Sequence, residues 1–175
     1  MSNTDDYFDI TSSITGSITN VNTSYSREFL KKMHLQNTQI YGLSSVVCTF
    51  LTFLSVYINK TDWILLHTNL LFLMFFILWG AAELKEHIRL TEGGTIFNLQ
   101  TLKNMQIIYS VCKFIAASTT AFVIFPNYKF DHYFCIFLQY LLFLAAMFFE
   151  TYNFFLTKNE IEKKLLNNSE INNNI

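Results

Sequence analysis

Lys113 and Glu150 are the charged side chains set inside the long apolar runs of this chain. An ionisable group placed in hydrocarbon is expensive and needs a partner or a way back to water, so these two are the first candidates for a functional polar notch. The other reactive residue types are scattered. His34 and His87 fall in polar stretches, and His67 and His132 each stand near the start of an apolar run. Even together, His67 and His132 offer a metal only two ligands, and a third is missing. Cys48, Cys112 and Cys135 lie in or beside apolar runs without a CxxC, and read as small membrane-packed hydrophobes. There is no HExxH, no glycine-rich phosphate loop and no Ser/His/Asp set at one depth. The residues carry no catalytic signal and imply no cofactor.

The elements that position Lys113 and Glu150 are legible from the distribution of apolar residues. The chain has 175 residues, 51% of them hydrophobic, and these gather into four blocks at about 40–58, 64–82, 105–125 and 133–156. A run of eighteen or more apolar residues crosses the roughly 30 Å hydrocarbon layer as a helix. The expected fold is therefore all-α: a polytopic membrane protein whose four transmembrane helices form two hairpins joined by a polar connector at 83–103. Residues 27–158 make up the membrane domain, flanked by an unstructured polar tail at 1–26 and an Asn-rich tail at 159–175. Lys113 lies roughly 12 Å in from the start of the third run, and Glu150 roughly 9 Å in from the end of the fourth, at 1.5 Å per residue. Antiparallel helices bring them to similar depths, which predicts a Lys113–Glu150 pair; the competing reading lets each snorkel separately to the headgroups.

Charge sets the orientation. Arg27, Lys31 and Lys32 precede the first run, Lys85, Arg89 and Lys103 lie in the connector, and Lys158, Lys163 and Lys164 follow the fourth run. The two short turns hold one cation each, Lys60 and Lys129. By the positive-inside rule both termini and the connector are expected in the cytosol. The first 36 residues show no apolar h-region, so the first spanning helix is expected to act as its own targeting signal. Sequons at Asn22, Asn59 and Asn167 are expected to stay unglycosylated, two being cytosolic and Asn59 tight against the bilayer. A net charge of −1 gives no argument for nucleic acid.

Gly93 and Gly94 supply the sharp reversal in the connector. The following Ile96, Phe97, Asn98 and Leu99 put apolar residues outside the spans, where they touch the bilayer, a partner or the chain's own helix ends. Ser26 to Met33 reads either as an amphipathic helix in the membrane interface or as a plain extension of helix one. His67, Thr68 and Asn69 sit near the headgroup boundary, where water can satisfy them. A faint echo spans 67 residues: Asn37-x-Gln39-Ile40 and Glu83 recur as Asn104-x-Gln106-Ile107 and Glu150.

This order of features resembles the transmembrane protein 208 family. The residues that carry the likeness are Arg27-Glu28-Phe29-Leu30-Lys31, Gly93-Gly94-Thr95-Ile96-Phe97-Asn98, Leu102-Lys103-Asn104, and Pro126 in the second turn. The family's Asp in the second element is Ile96 here. The resemblance implies a multi-pass protein of the endoplasmic reticulum membrane that assists signal-recognition-particle-independent (SRP-independent, Snd) targeting. Its implied partners are membrane lipids, the translocon or other targeting components, and client membrane proteins. A weaker likeness is to the small four-helix scaffold of ergosterol biosynthesis.

The leading expectation is thus a non-enzymatic factor for protein targeting and insertion. It would offer Ile96, Phe97, Asn98 and Leu99, with a polar notch at Lys113 and Glu150, to clients. The alternatives are a scaffold tethering lipid- or sterol-synthesis enzymes and a small oligomeric channel.

Overall fold

A computed structural model describes the backbone over residues 5–59 and 62–173 and the side chains over 26–59 and 62–167. It is built from four helices: α1 (Asp5–Asn59), α2 (Trp63–Thr91), α3 (Leu99–Ile124) and α4 (Phe130–Asn173). Each contains a stretch long and apolar enough to cross a membrane, so the protein is an all-α, multi-pass membrane protein. The four expected runs lie inside these helices, except that the third runs one residue past α3, to its C-cap Phe125. Side chains 5–25, which belong to the expected N-terminal tail, lie outside the described residues, as do Lys60 and the side chains of 168–175.

Local chemistry fixes the turns. Asp62 caps α2, its carboxylate accepting the backbone N–H of Ile64 and Leu65. Asn98 caps α3 by accepting from Gln100 N–H. Pro126 stands two residues past Ile124, the last residue of α3, and cannot extend the helix. Asn59 and His132 bond reciprocally, Asn59 Nδ2 donating to the His132 carbonyl at 2.9 Å. Both short turns therefore sit at one end of the molecule, here the turn end; the other is the connector end. At the turn end Tyr128 rests against Asp62, and burial together with that carboxylate pushes its phenol above the ordinary range.

The four helices do not contribute equally. α1 packs along both α2 and α4, whereas α3 leans mainly on α4 and meets α2 only lightly. The α1–α2–α4 interior holds Tyr41, Cys48, Leu65, Phe72, Phe76, Ile136 and Phe143, all essentially inaccessible. Phe143 meets Phe75 and Phe76 with ring centroids 5.8 and 5.5 Å apart. α3 closes on this core with Ala117, Ser118 and Ala121, small residues that allow a close approach to α4. Polar residues within the core bond to one another. Asn69 Nδ2 reaches Ser55 Oγ at 3.0 Å, and Gln139 Nε2 reaches Thr52 Oγ1 at 3.1 Å. Thr68 and Asn69 were expected to rely on water, and instead find partners inside the protein.

α2 has 29 residues and so is about 44 Å long, well over the 30 Å hydrocarbon layer. The excess of α1, α2 and α4 gathers at the connector end into a second apolar cluster: Leu30, Met33, Leu90, Phe154 and Ile161. This changes three sequence readings. Leu30 and Met33 face α2 and α4 rather than the bilayer interface, and α1 runs unbroken through Ser26, so of the two readings this segment is the extension of helix one. Ile161, from the segment assigned to the C-terminal tail, is a core residue of this cluster. The connector is also shorter than its polarity suggests: only 92–98 lie outside the helices.

Candidate functional site

The site forms where α3 is pinned to the α1–α2–α4 core. Lys113 Nζ lies 2.5 Å from Glu150 Oε2, and both side chains are only 3% exposed. Glu150 also accepts from the Tyr41 hydroxyl and, through Oε1, from Gln106 Nε2 at 2.9 Å. The ammonium sits 4.7 Å from the Trp79 ring centroid and 5.3 Å from that of Tyr41. All four helices thus contribute to one buried charge pair: Tyr41 from α1, Trp79 from α2, Gln106 and Lys113 from α3, and Glu150 from α4. Neither charge snorkels separately. The carboxylate takes three donors, the saturation a buried ion pair needs if its attraction is to offset desolvation.

Glu83 on α2 forms a second such node. His34 Nδ1 lies 2.9 Å from Glu83 Oε2, and Asn37 Nδ2 donates to the same oxygen at 3.1 Å. Asn153 Nδ2 then donates to Asn37 Oδ1 at 3.1 Å, tying α4 in. The 67-residue echo has a structural counterpart here. In each hairpin the first helix gives an amide to a carboxylate on the second, Asn37 to Glu83 and Gln106 to Glu150. The match is of layout only, since Asn37 aligns with Asn104 rather than with Gln106.

Between α2 and α3 these nodes border a cavity of about 370 Å³. Its walls are apolar, with Met33, Leu90, Ile96, Met105 and Phe154 among them. Lys113 and Glu150 line its inner part, and Lys85, Glu86 and Arg89 line its connector end. The size is that of a small-molecule site, with apolar walls and a few convergent polar groups.

The connector roofs this cavity. Gly93 has φ +89°, and a Cβ on Gly94 would stand 2.7 Å from the Arg89 carbonyl oxygen, so both positions need glycine. Arg89 Nη1 donates to the Thr95 carbonyl at 2.7 Å, and Arg27 Nη2 to the Gly94 carbonyl at 3.4 Å. The four proposed contact residues are not equivalent. Ile96 and Leu99 pack on the second cluster and Asn98 is spent as a cap, so they serve their own fold. Of the three apolar residues Phe97 is the exposed one, at 48%, with the Arg89 guanidinium 5.5 Å from its ring centroid.

His67 bonds the Trp63 carbonyl and His132 bonds Asn59, so the two histidines have separate partners. Among the described residues no three His, Cys, Asp or Glu side chains gather as metal ligands. Cys48 and Cys135 are buried, and Cys112 is exposed on α3.

Sequence reasoning missed Tyr41, Trp79 and Gln106 as site residues. Tyr41 stands one helical turn after Asn37, the spacing that puts both on one face. Gln106 belongs to the repeated Asn-x-Gln-Ile step, a signal that was visible. No protein-family model matches this chain, and no curated protein or solved structure is significantly similar to it.

Proposed function

We infer that the protein is a non-enzymatic factor of the endoplasmic reticulum membrane that assists SRP-independent targeting and insertion of client membrane proteins. The observation that carries this reading is the cavity between α2 and α3, which pack more lightly than any other helix pair in contact. A segment entering a bilayer brings apolar residues and polar or charged flanks at once. A site within the membrane domain that offers apolar walls and a charged inner end meets both needs. The weak α2–α3 contact is where such a segment enters, and Phe97 is the apolar residue that meets it first. The excess of Lys and Arg at the connector end supports a cytosolic connector and cytosolic termini. The likeness to the transmembrane protein 208 family points the same way. Translocon or other targeting components are the partners this role requires. A pore would need Lys113 in water, and its burial against Glu150 favours the insertion reading over that alternative.

The test is to deplete the protein and follow endoplasmic reticulum insertion of reporters with N-terminal, central or C-terminal membrane segments. Selective loss of the central and C-terminal classes is the expected result. Normal insertion of all three with altered lipid composition would replace this reading with a scaffold for lipid-synthesis enzymes.

A further inference from the structure

The cavity has a length and a width. From Trp79, level with Lys113, to Arg89 at the connector end, α2 advances ten residues, about 15 Å. That is half the 30 Å hydrocarbon layer, the depth of one leaflet. Its volume is about 370 Å³, with apolar side chains along its sides. One extended hydrocarbon chain entering from the connector end reaches that depth. As it stands, the cavity is a slot for an acyl chain.

The slot's connector end carries both signs of charge. Lys85 has no ion-pair partner among the described residues. Arg89 engages Glu86 through Nε and Nη2 and Thr95 through Nη1, which leaves two of its five N–H donors. Those two cations suit a phosphate. Beside them Glu86 accepts, among the described residues, only through Oε2, so Oε1 is open to a cation, and the exposed Phe97 ring supplies an apolar face for ammonium methyl groups. Paired charges of this kind match a phosphate joined to an ammonium rather than a purely anionic headgroup.

We propose that the α2–α3 slot binds one zwitterionic glycerophospholipid of the connector-side leaflet. One acyl chain reaches down to Trp79, the phosphate meets Lys85 and Arg89, and the ammonium meets Glu86 and Phe97. This goes beyond the client-handling reading, which brings a client segment to the same cavity: the lipid is what fills the slot while no client is there.

The chain's tryptophans make the test direct. There are two, Trp63 near the turn end and Trp79 in the slot. In purified full-length Trp63→Phe protein in detergent, emission comes from Trp79 alone. Titration with phosphatidylcholine brominated on its acyl chains is expected to quench that emission saturably, at about one lipid per chain. Phosphatidylglycerol with the same brominated chains is expected to need about tenfold more lipid for half-saturation. Ala82→Phe, which fills the slot from its α2 wall, is expected to abolish the saturable phase. Lys85→Glu, a change at an exposed position, is expected to weaken it about tenfold and keeps the proposal testable if Ala82→Phe does not fold. Quenching that rises without saturation, equal response to both headgroups, or indifference to both substitutions would overturn the proposal. So would protection of Trp79 by a single-span helical peptide that phosphatidylcholine cannot displace. The insertion assay reads a different property, so failure there leaves this result untouched.

Discussion

Lys113 on α3 and Glu150 on α4 lie 2.5 Å apart where all four helices converge on one charge pair. The pair is what fastens α3, whose packing on α2 is light. Removing one member leaves the other charge buried and unpaired. Lys113→Leu and Glu150→Leu are each expected to lower stability by about 3–5 kcal/mol. The Lys113→Leu/Glu150→Leu double variant removes both charges and is expected to recover most of that loss. Reversible unfolding in mixed micelles measures all three; additive losses in the double variant would mean the two charges do not act together.

Tyr41 contributes to this site in two separable ways. Its hydroxyl donates to Glu150, and its ring lies 5.3 Å from the Lys113 ammonium. Tyr41→Phe keeps the ring and deletes the donor, with an expected cost of about 1.5–3 kcal/mol for a hydrogen bond to a charged acceptor. Tyr41→Leu is expected to cost more, because the fully buried ring also fills the core beside Phe76. Equal losses for Phe and Leu would show that only the hydroxyl matters.

The four spans, the two hairpins and the shared depth of Lys113 and Glu150 were readable because hydrocarbon imposes them. Run length sets the span, and 1.5 Å per residue sets the depth. The helix ends were not readable in the same way. Residues 83–91 and 99–103 are polar, yet they are helical because Leu90 and Leu102 find apolar partners outside the membrane. Polarity marks where the bilayer ends, and tertiary packing decides where a helix ends. That Trp79 faces the Lys113 ammonium depends on how α2 and α3 are rotated, which one span's composition does not encode. Ile96 and Leu99 were left open between bilayer, partner and the chain's own helix ends, because most of the second cluster they pack on comes from α1 and α4, far away in sequence.

The connector depends on its glycines. A methyl group on Gly94 would stand 2.7 Å from the Arg89 carbonyl oxygen, and Gly93 holds a positive φ. Gly94→Ala is expected to cost about 1–3 kcal/mol in local strain. It would also release the Arg27 and Arg89 contacts that hold 93–95. Trypsin is expected to cut after Arg89 faster in this variant than in the parent protein. An unchanged digestion rate would mean the connector tolerates the shift.

Ile96 and Phe97 are adjacent, and the structure separates their roles. Ile96 packs on the second cluster, so Ile96→Ala is expected to lower stability by about 1–2 kcal/mol, below the full-burial range because the side chain is only partly covered. Phe97 is half exposed and holds nothing in the core beyond a contact with Arg89. Phe97→Ser is expected to leave stability within about 0.5 kcal/mol of the parent protein, as substitutions at such positions usually do. If Phe97 meets incoming segments, insertion of the central and C-terminal reporters should nonetheless fall several-fold in Phe97→Ser cells at equal protein level. Ile96→Ala should reduce insertion only as far as it reduces the amount of folded protein. Normal insertion with Phe97→Ser would remove the connector from the client path and leave the cavity interior as the place to look.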